Sequence, residues 1–286
     1  MIQFILIVAI IFGLIAGTFF DLKTREIPDW INYSLIFFGF GVRIFYSVYL
    51  YSFMPIIEGA LGFAVFFVIG MLMFYTGQWG GGDTKLLMGI GTLMGLGINF
   101  SEVPLIASFF INLLLVGACY GLLWSVVLAI KHKEEFNVSF KENNQMIKII
   151  RRFILITSAL ILIPIFIAES MIIKTLFIAL AIIPISTLYI WIFAKSVEQS
   201  CMFKKVKPRY LTEGDWIQDD IKIGRKKVYS KKDLGVSKKQ IQELKRYYSE
   251  GKIGKITVKE GIPFVPSFFI AYLITLFLGS WFMMFV

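Results

Sequence analysis

Histidine occurs once in this sequence, at His132, and cysteine twice, at Cys119 and Cys201. A zinc protease of the HExxH kind needs two histidines one helical turn apart, so that chemistry is excluded. A Ser–His hydrolase would need the one histidine beside a span-buried serine. His132 instead sits in the charged run Lys131-His132-Lys133-Glu134-Glu135 and reads as a solvated side chain. Neither cysteine belongs to a CxxC pair, which removes a zinc ribbon and a disulfide framework; both read as free thiols. Acidic residues are scarce, 19 against 29 Lys+Arg. In a soluble chain that excess would raise nucleic acid as a partner. Here basic loops at a membrane face account for it, and no nucleic-acid partner is expected.

Apolar residues are abundant. They make up 57% of the chain, with a mean hydropathy of +0.76, against about 45–50% in a soluble domain. They fall in blocks of the length that crosses a bilayer as a helix: residues 2–20, 31–50, 55–75, 84–98, 103–130, 153–168, 171–194 and 263–286. The fourth block is short and glycine-rich, which lets neighbouring helices approach closely. The sixth and seventh form a hairpin around Glu169-Ser170. Residues 1–20 lack the basic start and small-residue cleavage site of a signal peptide and read as a retained first span. The expected fold is an all-α polytopic membrane bundle of about eight transmembrane helices, with six as the alternative. A small cytoplasmic α+β insert completes it. The expected divisions are a catalytic transmembrane core (1–131), a basic cytoplasmic loop (132–152), a transmembrane hairpin (153–194), a soluble insert (195–262) and a last transmembrane helix (263–286).

With the N-terminus outside, all but two of the 29 Lys+Arg fall on inside loops; the exceptions are Arg43 and Lys174. The positive-inside rule then sets the orientation, in a multi-pass protein of the cell membrane whose lipid bilayer is itself a partner. Arg43 lies within the second span, where a charge needs a partner or a route to the interface. Glu58 stands at a compatible depth and is the expected ion-pair partner. In the insert, Ser237 reads as an N-cap for a helix over Lys238–Ser249, ended at Gly251, and Lys252–Lys259 alternates as a strand does.

Two aspartates carry the chemical interest. Asp21 follows directly on the apolar run of the first span. Asp83 follows Trp79-Gly80-Gly81-Gly82 and directly precedes another apolar run. Either alone would read as an interface marker or a helix cap. Together they lie at one membrane border and at one depth. Peptide hydrolysis by carboxylates needs two of them close together, one ionised and one protonated, and shared charge with partial burial makes that state available near neutral pH. Gly80, Gly81 and Gly82 remove the Cβ atoms that would block an extended peptide and permit φ > 0. They could also act as a hinge. Lys85, two residues beyond Asp83, would stabilise the ionised pair or snorkel to the interface.

The stretch Gly80-Gly81-Gly82-Asp83-Thr84-Lys85 resembles the GxGD-x-K pattern of type IV prepilin peptidases. The segment from Asp21 through Ile27, Pro28 and Asp29 resembles that family's first-aspartate segment. Downstream, Leu211–Trp216 and Glu260–Pro266 look like the C-terminal part of archaeal prepilin and preflagellin peptidases. The resemblance implies that Asp21 and Asp83 are the catalytic carboxylates. It implies removal of a short basic leader from pilin-like or archaellin-like precursors on the cytoplasmic side, with no metal and no organic cofactor. Bacterial relatives often add a domain with two CxxC pairs and methylate the new N-terminus. This chain lacks those cysteines, so methyltransferase activity is not expected. A basic leader needs acidic groups to receive it. Glu26 and Asp29 near Asp21, or the cluster Glu213, Asp215, Asp219 and Asp220 in the insert, are the candidates, unless they merely pair with neighbouring lysines.

Two other readings compete. Presenilin-like and signal-peptide-peptidase-like proteases share GxGD, but their other aspartate lies deep in a span, whereas Lys23 and Arg25 put Asp21 at the border. A transporter or assembly protein would place carboxylates mid-span, and none is clearly there.

Overall fold

The computed structural model describes residues 2–97, 103–224, 226–231 and 233–282. Ile98 and residues 283–286, the ends of two expected spans, lie outside the described residues. In chain order the helices are α1 (Ile2–Thr24), α2 (Asp29–Tyr49), α3 (Met54–Tyr75), α4 (Gly81–Met94), α5 (Leu105–Lys131), α6 (Lys133–Met146), α7 (Lys148–Leu162), α8 (Met171–Cys201), α9 (Lys238–Ser249) and α10 (Val265–Leu278). The strands are β1 (Phe203–Val206), β2 (Trp216–Ile217), β3 (Ile221–Ile223), β4 (Lys226–Tyr229) and β5 (Ile256–Lys259). The chain divides into two compact units: residues 1–121, 206–256 and 261–286, and residues 122–205 with 257–260.

Among the described residues six helices are long and apolar enough to cross a membrane: α1, α2, α3, α5, α7 with the short turn that follows it, and α8. Their outward side chains, such as Phe12, Phe37, Phe45, Phe166 and Ile172, are exposed within the chain, as lipid-facing residues are. The protein is a multi-pass membrane protein with a small strand-containing region. The expected fourth and eighth spans are the two shorter helices, α4 and α10. At 14 residues each, they extend about 21 Å, less than the ~30 Å of a hydrocarbon core.

In the first unit, α4 is enclosed by α1, α2 and α3. Its residues Leu86, Leu87, Ile90 and Leu93 are buried among Leu14, Ile31, Leu35 and Phe66. Small residues permit this closeness. Backbone meets backbone where Gly62 of α3 faces Gly91 of α4, and Thr84 fits against Gly70. On the α2 side, Gly39 receives Thr92 and Gly89 receives Leu35. Arg43 of α2, also buried, secures the far end of α4. Its Nε donates to the Thr92 carbonyl (2.7 Å) and its Nη2 to the Leu93 carbonyl (2.9 Å), while Nη1 donates to Pro55 O (2.9 Å). Glu58 stands 3.7 Å away, so the expected ion pair exists as one member of a larger set. A cation at a helix C-terminus satisfies orphan carbonyls and complements the helix dipole.

The insert residues of this unit form the β3–β4 hairpin and α9 around buried Leu211, Ile217, Val228, Tyr229, Ile241 and Leu244. Helix α9 begins at the expected cap: the Ser237 side chain accepts from Gln240 N–H and the Gln240 side chain reaches back. Gly251, at φ +70, lies just beyond its end.

In the second unit, α6 occupies the stretch read as a basic loop. Asn143 of α6 donates to Ser196 and Gln199 of α8, which anchors a helix whose other residues are mostly polar. Helices α7 and α8 pack as the expected hairpin. Glu198 accepts from Lys195 (3.0 Å) and Lys259 (2.7 Å).

Candidate active site

Asp21 occupies the last turn but one of α1. The helix ends three residues later, at Thr24, because Arg25 adopts a left-handed conformation (φ 62) while its N–H still donates to the Asp21 carbonyl. Ile27 and Pro28 then lead into α2, with Pro28 at its N-cap. Asp83 is the third residue of α4. Its carboxylate Oδ2 accepts the Gly80 N–H at 3.1 Å, closing the helix start in the manner of a capping box.

The ends of α1 and α3 and the starts of α2 and α4 lie at one end of the bundle, and the two sequence segments interlock there. Ile27 is buried against Gly82: a Cβ on Gly82 would stand 3.3 Å from the Ile27 Cβ. Lys85 donates to Asp29 at 2.6 Å and lies 5.5 Å from the centre of the Tyr33 ring. These contacts set Asp83 within electrostatic reach of Asp21. Burial, and then the Asp21 charge, push the Asp83 carboxyl up to about 7, against the opposing pull of the Gly80 N–H.

The glycine triplet does not use the left-handed conformation. Gly80 has φ −74 and the other two are helical; positive φ occurs earlier in the same connection, at Gly77 (φ +71). What the triplet supplies is space. Gly81 has only Phe74 near its missing Cβ, at 3.9 Å, while Gly82 fits against Ile27.

Both downstream segments reach this end of the bundle. The Trp216 ring lies 3.0 Å from where a Gly77 Cβ would stand. The Val265 N–H, at the start of α10, donates to Asp21 Oδ2 at 2.8 Å. No side-chain pattern announces this second contact, because its donor is a backbone group. Tyr120 of α5 and Arg25 are also within electrostatic reach of Asp21.

Glu26 is exposed, and Asp29 is exposed but engaged by Lys85. In the insert, Glu213 pairs with Lys238 (3.3 Å), Asp220 with Lys227 (2.8 Å), and Asp215 accepts the Thr212 N–H. Among the described residues no three His, Cys, Asp or Glu side chains come together as a metal site would require.

A buried and a half-buried carboxylate, held by backbone donors at one end of a helical bundle, invite comparison with known proteins. Residues 7–130 match the type IV leader peptidase family. That match covers less than half of the chain. Over 82 residues the chain is 40% identical to the preflagellin peptidase of Methanocaldococcus jannaschii. The same length is 40% identical to that of Methanococcus voltae and 39% identical to that of Methanococcus maripaludis. These alignments cover 29% of this chain and 35% of each relative, so the chain spans about a third of the length of the curated relatives it matches. No solved structure matches. The leader peptidase region contains Asp21 and Asp83 but stops well before Val265.

Proposed function

We propose that the protein is an aspartic-type leader peptidase. It removes the short basic N-terminal leader of type IV pilin-like or archaellin-like precursors at the cytoplasmic membrane border. What supports this reading is that Asp21 and Asp83 lie within electrostatic reach of each other at one end of the bundle, together with the leader peptidase family match over the region that holds both.

The chemistry is a hydrolysis without a covalent intermediate. One carboxylate takes a proton from water as its oxygen bonds to the scissile carbonyl carbon. The other, protonated, donates to the carbonyl oxygen. The resulting diol collapses: the C–N bond breaks, the first aspartate gives its proton to the departing nitrogen, and the diol returns a proton to the second. Water and peptide become acid and amine, and the pair regains its starting protonation. Gly80 and Gly81 leave room for an extended peptide beside Asp83, while Gly82 seats Ile27. Exposed Glu26 is placed to receive a basic leader, with Asp29 beside it. No cofactor is required and methyl transfer is not part of the activity.

The test is cleavage of a precursor carrying a short basic leader ahead of a hydrophobic helix, in membranes. Asp21→Asn and Asp83→Asn should each abolish the mobility shift while the protein still accumulates. Cleavage by either variant would overturn the two-carboxylate mechanism.

A further inference from the structure

The carboxylates differ in what holds them. Asp83 accepts a donor from its own helix turn. Asp21 accepts one from a helix 244 residues away in sequence, where Val265 N–H points at Oδ2. That N–H is one of the orphan donors at the start of α10, where the helix dipole also favours negative charge. A carboxylate that accepts such a bond is stabilised in its ionised form.

The start of α10 is itself fixed. The Phe264 ring fits where Gly117 of α5 has no side chain; a Cβ there would stand 2.6 Å from the ring edge. Buried Trp79, in the connection leading to the Gly80–Gly82 triplet, packs on Phe264 and Phe268 with ring centres 5.9 and 5.5 Å apart. Trp79 therefore ties the segment bearing Asp83 to the helix end that holds Asp21.

Resting on the peptidase reading above, we infer that the amino end of α10 is part of the catalytic apparatus. Val265 N–H keeps Asp21 as the carboxylate that activates water, Asp83 carries the proton, and Trp79, Gly117 and Phe264 are positioning residues that set the helix end. This assigns the two aspartates different roles and gives a function to residues outside the family-matched region. Among the described residues, the titratable and charged groups in reach of Asp21 are Arg25, Asp83 and Tyr120; the first turn of α10, Val265–Phe268, carries none.

The experiment replaces Val265 by its α-hydroxy analogue in the full chain, through ligation of a synthetic C-terminal peptide. The N–H becomes an ester oxygen and the side chain is unchanged. Loss of one donor to a carboxylate should move the acid limb of the activity–pH profile upward by about one pH unit, with kcat reduced and KM unchanged. Phe264→Ala should move it the same way, and Phe264→Leu should restore much of it. An infrared titration of the carboxyl groups, assigned with Asp21→Asn and Asp83→Asn, reads the same shift without substrate. It therefore decides the matter even if no leader precursor is cleaved, which would sink only the peptidase reading. An acid limb and an infrared titration that stay in place, whatever the loss of activity, would overturn the inference.

Discussion

Ile27 fills the space that Gly82 leaves empty, with 3.3 Å between the Ile27 Cβ and the point where a Gly82 Cβ would stand. The isoleucine of one aspartate's segment thus seats the glycine of the other's. Substitution at Gly82 should act on the dyad rather than on the bundle at large. Gly82→Val should cost at least tenfold in cleavage rate with the protein still accumulating. Gly81→Ala should be tolerated, because only Phe74 stands near, at 3.9 Å. Specific activity of the two purified variants, compared at equal folded protein, checks this.

Asp83 titrating at about 7 makes the reaction sensitive to pH on its alkaline side. Above that value the proton needed by the scissile carbonyl oxygen is lost, so kcat should fall with a limb near pH 7. The limb belongs to the pair rather than to one residue. Stability follows the same group. A carboxyl raised in the folded state contributes stability that is complete below its unfolded value of about 3.9 and is lost as pH rises through about 7. Thermal midpoints in detergent at pH 5 and pH 8 should therefore differ more for the wild type than for Asp83→Asn.

Arg43 donates to three backbone carbonyls from a buried position. Arg43→Met should destabilise the bundle by about 3 kcal/mol or more, because buried carbonyls lose charged donors and Glu58 loses its partner. Arg43→Lys should recover only part, since an ammonium cannot reproduce the guanidinium fork. Denaturation of the detergent-solubilised protein measures both.

Asp29 already faces Lys85 at 2.6 Å, whereas Glu26 is exposed. Charge reversal at Glu26 should raise KM for a basic leader several-fold and leave a neutralised leader unaffected. Asp29→Asn should change KM by no more than about fivefold, as expected for an exposed pair worth ~0.2–1 kcal/mol. Equal effects of Glu26→Lys on both leaders would show that Glu26 does not read leader charge.

Much of the fold was legible because membrane helices announce themselves by length and apolarity, and because Ser237 and Gln240 form a cap that two side chains encode. Arg43 was half legible. The cost of a charge within a span pointed to Glu58 at a compatible depth, yet its strongest partners are carbonyls of α4, and backbone acceptors leave no mark in a sequence. The same blindness hid Val265 N–H from any reading of Asp21. Helix α6 was missed because Lys133–Met146 is polar on most of its circumference and gains its anchor from Asn143 reaching Ser196 and Gln199. The glycine triplet drew attention to dihedral freedom, whereas its fit against Ile27 depends on volume.

The bond from Val265 to Asp21 also bears on timing. A ribosome adding about 5–20 residues per second needs on the order of 10–50 s to travel the 244 positions between the two. Once Asp83 has been added, 62 residues into that stretch, both aspartates are made but the donor that holds the first of them is not. On the peptidase reading proposed above, the pair is therefore not fully held until the last helix has been made.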